Sequence, residues 1–199
     1  MALIIGLTGS IASGKSTVSL MFDDYNIPVV DADKISREVV APGEKAYDQI
    51  VNTFGQQILR EDKTINRKKL GEIVFADEAK RNQLNEIVHP AVREKILKRR
   101  DGYVESGATC VVLDIPLLFE SKLTHFVDKT LVVYVDESVQ LNRLMERDKY
   151  TENEALQRIN AQIPIREKAK LADAIIDNNG TKYQSYEQLE KLLQEWNII

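Results

Sequence analysis

The stretch LIIGLTGSIASGKST, residues 3–17, decides how this chain folds. Residues 3–7 form a short aliphatic run typical of a buried strand, residues 9–16 form a glycine-bounded loop, and Thr17 is predicted to open a helix. A strand, a loop with the spacing GxxxxGKS and a helix, in this order, are typical of a P-loop. The stretch therefore predicts a nucleotide-binding site. The alternative is a turn that only joins a strand to a helix.

The residue types of this loop suit the binding of a polyphosphate. Several N–H donors must converge on one volume, and a tight loop that runs into a helix supplies them. Gly9 and Gly14 allow unusual backbone angles or a close approach of phosphate. Lys15 is expected to reach the β- and γ-phosphates, and Ser16 to place its hydroxyl on Mg²⁺. The predicted nucleotide-binding residues of the loop are Gly9, Ser10, Ile11, Ala12, Ser13, Gly14, Lys15, Ser16 and Thr17.

Length and composition indicate one globular domain with room for an embedded subdomain. The chain has 199 residues, of which 43% are hydrophobic and 29% are charged, as is ordinary for a globular protein. Its formal net charge of −4 argues against nucleic acid as a main partner. We expect no membrane partner and no secretion signal, because the sequence shows no long apolar run and no basic n-region with a cleavage site. No sequence feature indicates an oligomeric state.

Cys110 is the single cysteine and lies in an apolar run. It cannot form an intrachain disulfide, so a reducing cytoplasm is the simplest location. Catalysis by this thiol is the alternative, but buried cysteines usually behave as small hydrophobic residues.

Two carboxylates end the second predicted strand, residues 27–33. Asp31 and Asp33 are two residues apart, so they point the same way if the extended geometry persists. Ligands of α/β sheets bind beyond the carboxyl ends of strands, where both acids are expected. A kinase needs a base for the acceptor hydroxyl and often a second acid for water on the metal. The alternative is that Asp33 only caps a helix that begins at Lys34.

Residues 34–104 have a mainly helical pattern. About seventy residues exceed what one crossover between strands needs, so this range is predicted to be an inserted helical subdomain that holds the substrate. His89, which precedes Pro90, either contacts a substrate phosphate or is a structural residue at a helix end. A solvated helix face is predicted for Lys95, Lys98, Arg99 and Arg100.

A third strand, residues 109–114, is apolar throughout and ends at Asp114. An acid at the carboxyl end of such a strand resembles the element that binds or orients Mg²⁺ opposite a P-loop. Leu117, Leu118 and Phe119 follow, and we predict an apolar wall that either receives an aromatic ligand or packs in the core.

Two more strands, residues 130–135 and 174–176, flank an arginine-bearing helical region. Helices with arginines that close over a triphosphate form the lid of small-molecule kinases. The alternative is that these arginines pair with exposed glutamates. Two helix faces are predicted to carry Arg143 and Arg147, and then Arg158, Gln162 and Arg166.

Local signals mark the ends of the helices in and after this region. Thr151 and Glu154 fit a capping box, and Pro164 should bend or end the helix that they start. A C-terminal helix packed on the sheet is predicted from the spacing of Tyr186, Leu189, Leu192, Leu193 and Trp196.

Together these segments resemble the dephospho-CoA kinase family. The likeness covers residues 3–180, essentially the whole chain, and the order and spacing of the segments match. It rests on the P-loop, DAD at 31–33, HP at 89–90, DIPLLFE at 114–120, RLMERD at 143–148, AD at 172–173 and DNNG at 177–180. The P-loop alone indicates only a nucleotide binder, whereas DIPLLFE with the DAD strand end is far more specific.

The resemblance implies transfer of the γ-phosphate of ATP to the ribose 3′-hydroxyl of dephospho-CoA, the last step of coenzyme A synthesis. It implies that Asp33 is the general base, that Lys15 contacts phosphate, that Arg143 is a lid residue near adenine or phosphate, and that Asn178 lies in an adenine-side turn. The predicted substrate-binding residues are Asp33, His89, Leu117, Leu118 and Phe119, and the predicted Mg²⁺ residues, partly through water, are Ser16, Asp31 and Asp114.

The family's loop often reads GGIGSGKS, and Ser10 and Ala12 stand here in place of two glycines. Both lie at variable positions of the general pattern, so nucleotide binding should survive while loop flexibility differs.

The predicted fold is α/β, a three-layer P-loop NTPase fold with a five-stranded parallel sheet, a helical insertion and a lid. Residues 1–199 are predicted to form a single P-loop kinase domain with a core at about 1–33, 105–137 and 172–199. A CoA-binding insertion is predicted at about 34–104 and a lid at about 138–171. Rival interpretations are a nucleoside-monophosphate or small-metabolite kinase, and a switch-type GTPase, although no Asn-Lys-x-Asp guanine segment is present.

Overall fold

The P-loop strand lies in the middle of a five-stranded parallel sheet, which confirms the predicted α/β fold. The computed structural model describes residues 2–199. The strands are β1 (Leu3–Gly9), β2 (Val29–Asp31), β3 (Cys110–Asp114), β4 (Lys129–Tyr134) and β5 (Ala174–Asp177), in the spatial order β2-β3-β1-β4-β5. Because β1 pairs in parallel with both β3 and β4, the loop after β1 leaves the sheet between two neighbours that end at the same edge.

Helices connect the strands and cover the sheet. In chain order they are α1 (Lys15–Met21), α2 (Ala32–Glu38), α3 (Lys45–Phe54), α4 (Arg67–Ala76), α5 (Glu78–Glu105), α6 (Glu137–Asp148), α7 (Glu152–Asn160), α8 (Ile165–Leu171) and α9 (Lys182–Glu195). Within residues 2–199, no helix is long and apolar enough to cross a membrane.

The chain divides into two compact units. The first runs to Val30 and resumes over residues 100–199, and its core lies between the sheet and helices α1 and α9. All residues of β3 are buried, as expected for a parallel strand covered on both faces. The predicted face of α9 is confirmed, because Leu189 and Leu193 are fully buried in this core and Trp196 packs against it.

The second unit, Asp31–Arg99, has a core of its own. Residues from α3, α4 and the connection between them form it, namely Ile50, Phe54, Ile58, Ile65, Leu70 and Val74. Three of the predicted solvated basic residues of α5 are instead half-buried in ion pairs. Lys95 Nζ lies 2.9 Å from Glu44 Oε1, Arg99 Nη2 lies 2.5 Å from Glu38 Oε2, and Arg100 Nη2 lies 2.7 Å from Asp101 Oδ1.

Pro90 does not end a helix, because α5 continues through it. Proline has no N–H to donate to the carbonyl four residues earlier, and this usually kinks or breaks a helix. The long α5 contains the proline nonetheless, so the interpretation of His89 as a helix-end residue is wrong.

Candidate active site

The loop after β1 takes the backbone course that its glycines predict. Gly14 caps the start of α1 with a left-handed φ of 86°, and Ala12 has a φ of 60°. The amide of Ser13 donates to the carbonyl of Ser10 at 3.0 Å, which closes the loop on itself. A Cβ on Gly9 would lie 2.5 Å from Ser13 Oγ, so this position also needs glycine.

Several polar groups of the loop have no partner within the described residues. The buried hydroxyls of Ser10 and Ser13 make no hydrogen bond there. The amides of Ala12 and Gly14 likewise donate to no acceptor in residues 2–199. Buried polar groups normally have partners, so this loop suits a ligand rich in oxygen acceptors, such as a polyphosphate.

Lys15 and Asp114, both predicted for this site, form an ion pair. Lys15 Nζ donates to Asp114 Oδ1, and the two side chains are only 17% and 6% exposed. The register of β1 and β3 explains the pairing, because it aligns Leu7 with Asp114 and so brings the end of β3 beside the P-loop.

Arg143 and Asn178 meet next to Gly14. Arg143 Nη2 donates to the carbonyl of Asn178 at 3.0 Å. Asn178 is buried, and its side-chain amide donates to the carbonyl of Ser13 at 2.8 Å while its Oδ1 accepts from Ser185 Oγ at 2.8 Å. Both polar ends of that side chain are therefore engaged inside the protein. The backbone amide of Asn178 also donates, to the carbonyl of Tyr134 at 2.8 Å, and contact between Asn178 and adenine stays a prediction.

The other arginines of the predicted lid have surface partners. The guanidinium of Arg147 hydrogen bonds the carboxylate of Asp148 and thereby lowers the pKa of that carboxyl. Arg158 stacks on the ring of Tyr150 at 4.3 Å, and Arg166 Nε lies 3.6 Å from a carboxylate oxygen of Glu137. Arg143 is thus the arginine of this set that the structure places at the P-loop.

The capping box that starts α7 is confirmed. Thr151 Oγ1 accepts from the amide of Glu154, and the carboxylate of Glu154 accepts from the amide of Thr151 at 2.8 Å. Pro164 stands at the N-cap of α8, so it separates α7 from the next helix as predicted.

Asp31 and Asp33 do not share one extended strand face, because α2 begins at Ala32. Asp31 Oδ1 accepts from the amide of Lys34 at 2.9 Å and caps the helix. The proposed capping role of Asp33 is therefore wrong, since the preceding acid performs it. Asp33 lies exposed in the first turn of α2. The sequence signal misled because Asp is favoured both as an N-cap and in the first turn.

His89 is exposed and lines an open cleft of about 410 Å³ in the second unit. Four polar or charged residues and Pro90 line the cleft with it, and the four are Asn82, Asn85, Glu86 and Arg93. Contact between His89 and a substrate phosphate stays a prediction.

The predicted apolar wall of residues 117–119 is only partly available. Leu118 is fully buried and so close to Gly6 that a Cβ there would lie 2.8 Å from its Cδ2. We correct its assignment from the substrate wall to the core. Leu117 is 41% exposed, and Phe119 packs half-buried against the cluster around Val132.

Two side chains that contact the P-loop backbone were not predicted for the site, namely Lys168 on the carbonyl of Gly9 and Gln140 on the carbonyl of Ile11. Gln162, predicted on one helix face with Arg158 and Arg166, lies instead in the connection between α7 and α8 and accepts from the amide of Ile11. One signal was readable, because Lys168 falls three residues after Ile165 on the apolar face of α8, where a lysine needs a buried partner. No local pattern distinguishes Gln140 from an exposed helix residue.

The chain is similar to proteins of one kinase family along nearly its whole length. The dephospho-CoA kinase family model matches residues 3–184. The dephospho-CoA kinase of Oceanobacillus iheyensis is 61% identical over 198 residues, which cover 100% of each chain. The solved dephospho-CoA kinase of Campylobacter jejuni is 33% identical, with a TM-score of 0.76 over 98% of each chain. A crystal structure from Thermus thermophilus gives 31% identity and a TM-score of 0.82, covering 98% of this chain and 97% of the other.

Proposed function

The chain belongs to the dephospho-CoA kinase family, and from that premise we propose how its residues divide the work of moving a phosphoryl group from ATP to the ribose 3′-hydroxyl of dephospho-CoA. The protein is an ATP-dependent kinase of this family. The observation that carries the proposal is the family match over residues 3–184. It is combined with a P-loop in which the amides of Ala12 and Gly14 and the hydroxyls of Ser10 and Ser13 have no partner within the described residues.

The P-loop is the proposed site of the triphosphate. Its free amides would donate to phosphate oxygens, and Lys15 would turn from Asp114 toward the β- and γ-phosphates. Arg143, beside Gly14, would neutralise charge that develops on the transferred group.

Mg²⁺ is proposed to accompany ATP, and the donor groups present suit it. Within residues 2–199, no three side chains of His, Cys, Asp or Glu form a metal-holding group. Magnesium in kinases takes few protein ligands and keeps waters and phosphate oxygens. Ser16 would bind it through the hydroxyl, and Asp31 and Asp114 would hold its waters. When bound, the ion neutralises charge on the β- and γ-phosphates.

Asp33 is the proposed general base. Its carboxylate would accept the proton of the ribose 3′-hydroxyl while that oxygen forms a bond to the γ-phosphorus and the bond from phosphorus to the β-phosphate oxygen breaks. Its exposure in the first turn of α2 leaves the carboxylate open to an acceptor.

The second unit is the proposed binding site for dephospho-CoA, with His89 as a phosphate contact. Leu117 and Phe119 are proposed to contact an apolar part of the substrate. For the protein as a whole we propose a location in the cytoplasm, as the single buried cysteine suggests.

The test is ADP formation from ATP and Mg²⁺ with dephospho-CoA as acceptor, beside AMP, CMP, UMP and shikimate. We expect turnover with dephospho-CoA alone and a product phosphorylated on the 3′-hydroxyl. Turnover with a nucleoside monophosphate or shikimate instead would discard the acceptor assignment and leave the kinase core. Binding of ATP without turnover of any acceptor would favour a nucleotide-dependent regulator.

A further inference from the structure

Three carbonyl groups of the P-loop each accept a hydrogen bond from a side chain outside the loop. Lys168 Nζ donates to the carbonyl of Gly9, Gln140 Nε2 to that of Ile11, and Asn178 Nδ2 to that of Ser13. Each donor–acceptor distance is 2.8 Å. The three donors come from α8, α6 and the turn after β5, and they are 0%, 1% and 7% exposed. Alternate carbonyls along the loop are therefore held by buried groups.

The arrangement fixes the orientation of the loop's peptide groups. A carbonyl oxygen that turned toward a triphosphate would repel it, and a peptide group turns as a plane, so its carbonyl and its N–H reorient together. With these carbonyls held, amides such as those of Ala12 and Gly14 stay without an acceptor in the described residues. Donors fixed before the ligand arrives need no reorganisation on binding.

The Lys168 contact is the most unusual of the three. Its ammonium is fully buried, lies 2.8 Å from Glu120 Oε1, and has the carbonyl of Pro116 at 3.5 Å. Glu120 Oε1 also accepts from the amide of Ile163 at 3.1 Å, which ties the segment before α8 to the same group. Burying a charged pair is unfavourable for stability compared with apolar groups of similar size. What the ammonium adds over an apolar side chain is hydrogen bonding to backbone carbonyls, at 2.8 Å to that of Gly9 and at 3.5 Å to that of Pro116.

We propose that Lys168, Gln140 and Asn178 are positioning residues for ATP, which hold the carbonyls of the P-loop away from the triphosphate and keep its amides ready to bind phosphate. None of them is required to touch the nucleotide. The inference rests on the proposed function in one respect, that ATP binds at the P-loop.

Gln162 also contacts the loop, but it binds an amide and not a carbonyl. Its Oε1 accepts from the amide of Ile11 at 3.1 Å, so it occupies a loop donor, whereas Gln140 holds the carbonyl of the same residue. Loss of the Gln140 contact should weaken ATP binding. Loss of the Gln162 contact should leave ATP binding unchanged or make it tighter, because it frees a donor.

The test compares matched variants by equilibrium titration of the full chain with ATP and Mg²⁺, and separately with dephospho-CoA. Lys168→Met and Gln140→Met are expected to weaken ATP binding about tenfold, or about 1.4 kcal/mol, with dephospho-CoA binding unchanged. Lys170→Met is the control on the same helix, since Lys170 is 68% exposed and pairs with Glu167; it should alter neither affinity. Gln162→Met should not weaken ATP binding, and Lys168→Arg, which keeps a charged donor, should recover part of the loss.

Thermal unfolding of each variant shows whether weaker ATP binding comes from a reoriented loop or from a loss of folded protein. If Lys168→Met fails to fold because the half-buried carboxylate of Glu120 loses its cation, the double variant Lys168→Met/Glu120→Gln removes both charges, and Gln140→Met involves no charge at all. Unchanged ATP affinity in Gln140→Met and in the double variant would overturn the inference while the kinase assignment stands. Equal weakening of both ligands, or equal weakening in Gln140→Met and Gln162→Met, would also overturn it. A wild-type protein that does not bind ATP would instead remove the proposed function.

Discussion

Ala12 and Gly14 share the left-handed backbone region but differ in what a side chain would meet. Gly14, at φ 86°, faces the side chain of Asn178 so closely that a Cβ would overlap its amide nitrogen. Ala12, at φ 60°, already carries a Cβ. An L-residue in this region costs about 1–2 kcal/mol relative to the right-handed one. The loop therefore tolerates strain at Ala12 and excludes a side chain at Gly14.

Gly14→Ala is expected to weaken ATP binding at least tenfold, which corresponds to about 1.4 kcal/mol, because it displaces Asn178 from Ser13. Ala12→Gly is the paired variant. It should keep ATP affinity and change the free energy of unfolding by less than about 1 kcal/mol, since relief of strain offsets the backbone entropy of glycine. Calorimetric titration and urea unfolding measure both effects. Equal ATP affinity in the two variants would contradict this account of Gly14.

Asp33→Asn is expected to lower kcat by about 10²–10⁴-fold, because the amide cannot take the hydroxyl proton. ATP affinity should stay unchanged. Asp48→Asn, also an exposed acid in the first turn of a helix of the same unit, is the control and should keep full turnover. Steady-state kinetics with dephospho-CoA check the prediction. Nearly full activity in Asp33→Asn would move the role of base to Asp31 or Asp114.

At single residues, the sequence predicted what local pattern determines. The spacing GxxxxGKS located the P-loop, and the acid that ends an apolar strand marked Asp114, which does meet Lys15. Prediction from the sequence failed where one residue type suits two local roles, as in the choice between Asp31 and Asp33 as helix cap. It also missed Lys168, because the partners that permit a buried ammonium, Glu120 and Gly9, come from distant parts of the chain.

At the scale of elements, an aspartate ties the start of β4 to the turn before β5. Asp173 Oδ2 accepts from both the amide and the hydroxyl of Thr130 at 2.7 Å. These hydrogen bonds, together with the nearby Lys129 ammonium, hold the pKa of Asp173 below its ordinary value of 3.8. A carboxyl whose pKa is lowered by folding stabilises the native state above the unfolded pKa. This contribution is lost as the pH falls through the lower native value.

Asp173→Asn is therefore expected to be less stable than the wild type at pH 7. The difference in free energy of unfolding should shrink as the pH falls below 3.8, where the carboxyl of the unfolded chain takes up its proton. It should vanish below the lower pKa of the native carboxyl. Urea unfolding at a series of pH values measures it, with the exposed Asp24→Asn as control. If the free energies of unfolding of wild type and variant differ by the same amount down to the lowest pH, the ionised carboxylate is not the cause of the stability difference.

Elements with strong end signals were predictable, and elements set by tertiary packing were less so. The capping box at Thr151 gave the start of α7, and the proline at 164 gave the separation between α7 and α8. Pro90 indicated a break that does not occur, since α5 continues through it. Propensity is a local preference, and packing along a long helix outweighs one missing hydrogen bond.

At the scale of the whole molecule, each of the two units has its own core. A destabilising substitution in the core of one unit is therefore expected to spare binding of the ligand by the other unit. Ile58 is fully buried in the second unit, and Ile176 is fully buried in the first. The proposed functions differ, with ATP at the P-loop of the first unit and dephospho-CoA in the second.

Ile58→Ala is expected to destabilise the protein by about 2–5 kcal/mol, because it leaves a cavity in the core of the second unit. Below the unfolding temperature it should raise the KM for dephospho-CoA and leave ATP affinity unchanged. Ile176→Ala, with a similar loss of buried volume, should weaken ATP binding and leave the KM for dephospho-CoA unchanged. Kinetics with each substrate varied in turn check this. An equal effect of Ile58→Ala on both substrates would contradict separate roles for the units.

The burial of Cys110 gives the protein an internal reporter of its own opening. The residue is 2% exposed in β3, and burial raises the pKa of its thiol to about 12, so the native sulfur is both inaccessible and protonated at neutral pH. An alkylating reagent can modify it only when β3 leaves the core, and the labelling rate then follows the equilibrium for that opening. Since no other cysteine competes, one labelling curve gives the opening free energy. A nucleotide that binds only the native state should slow labelling by the factor 1 + [ATP]/Kd, which turns a buried sulfur into a measure of ATP affinity.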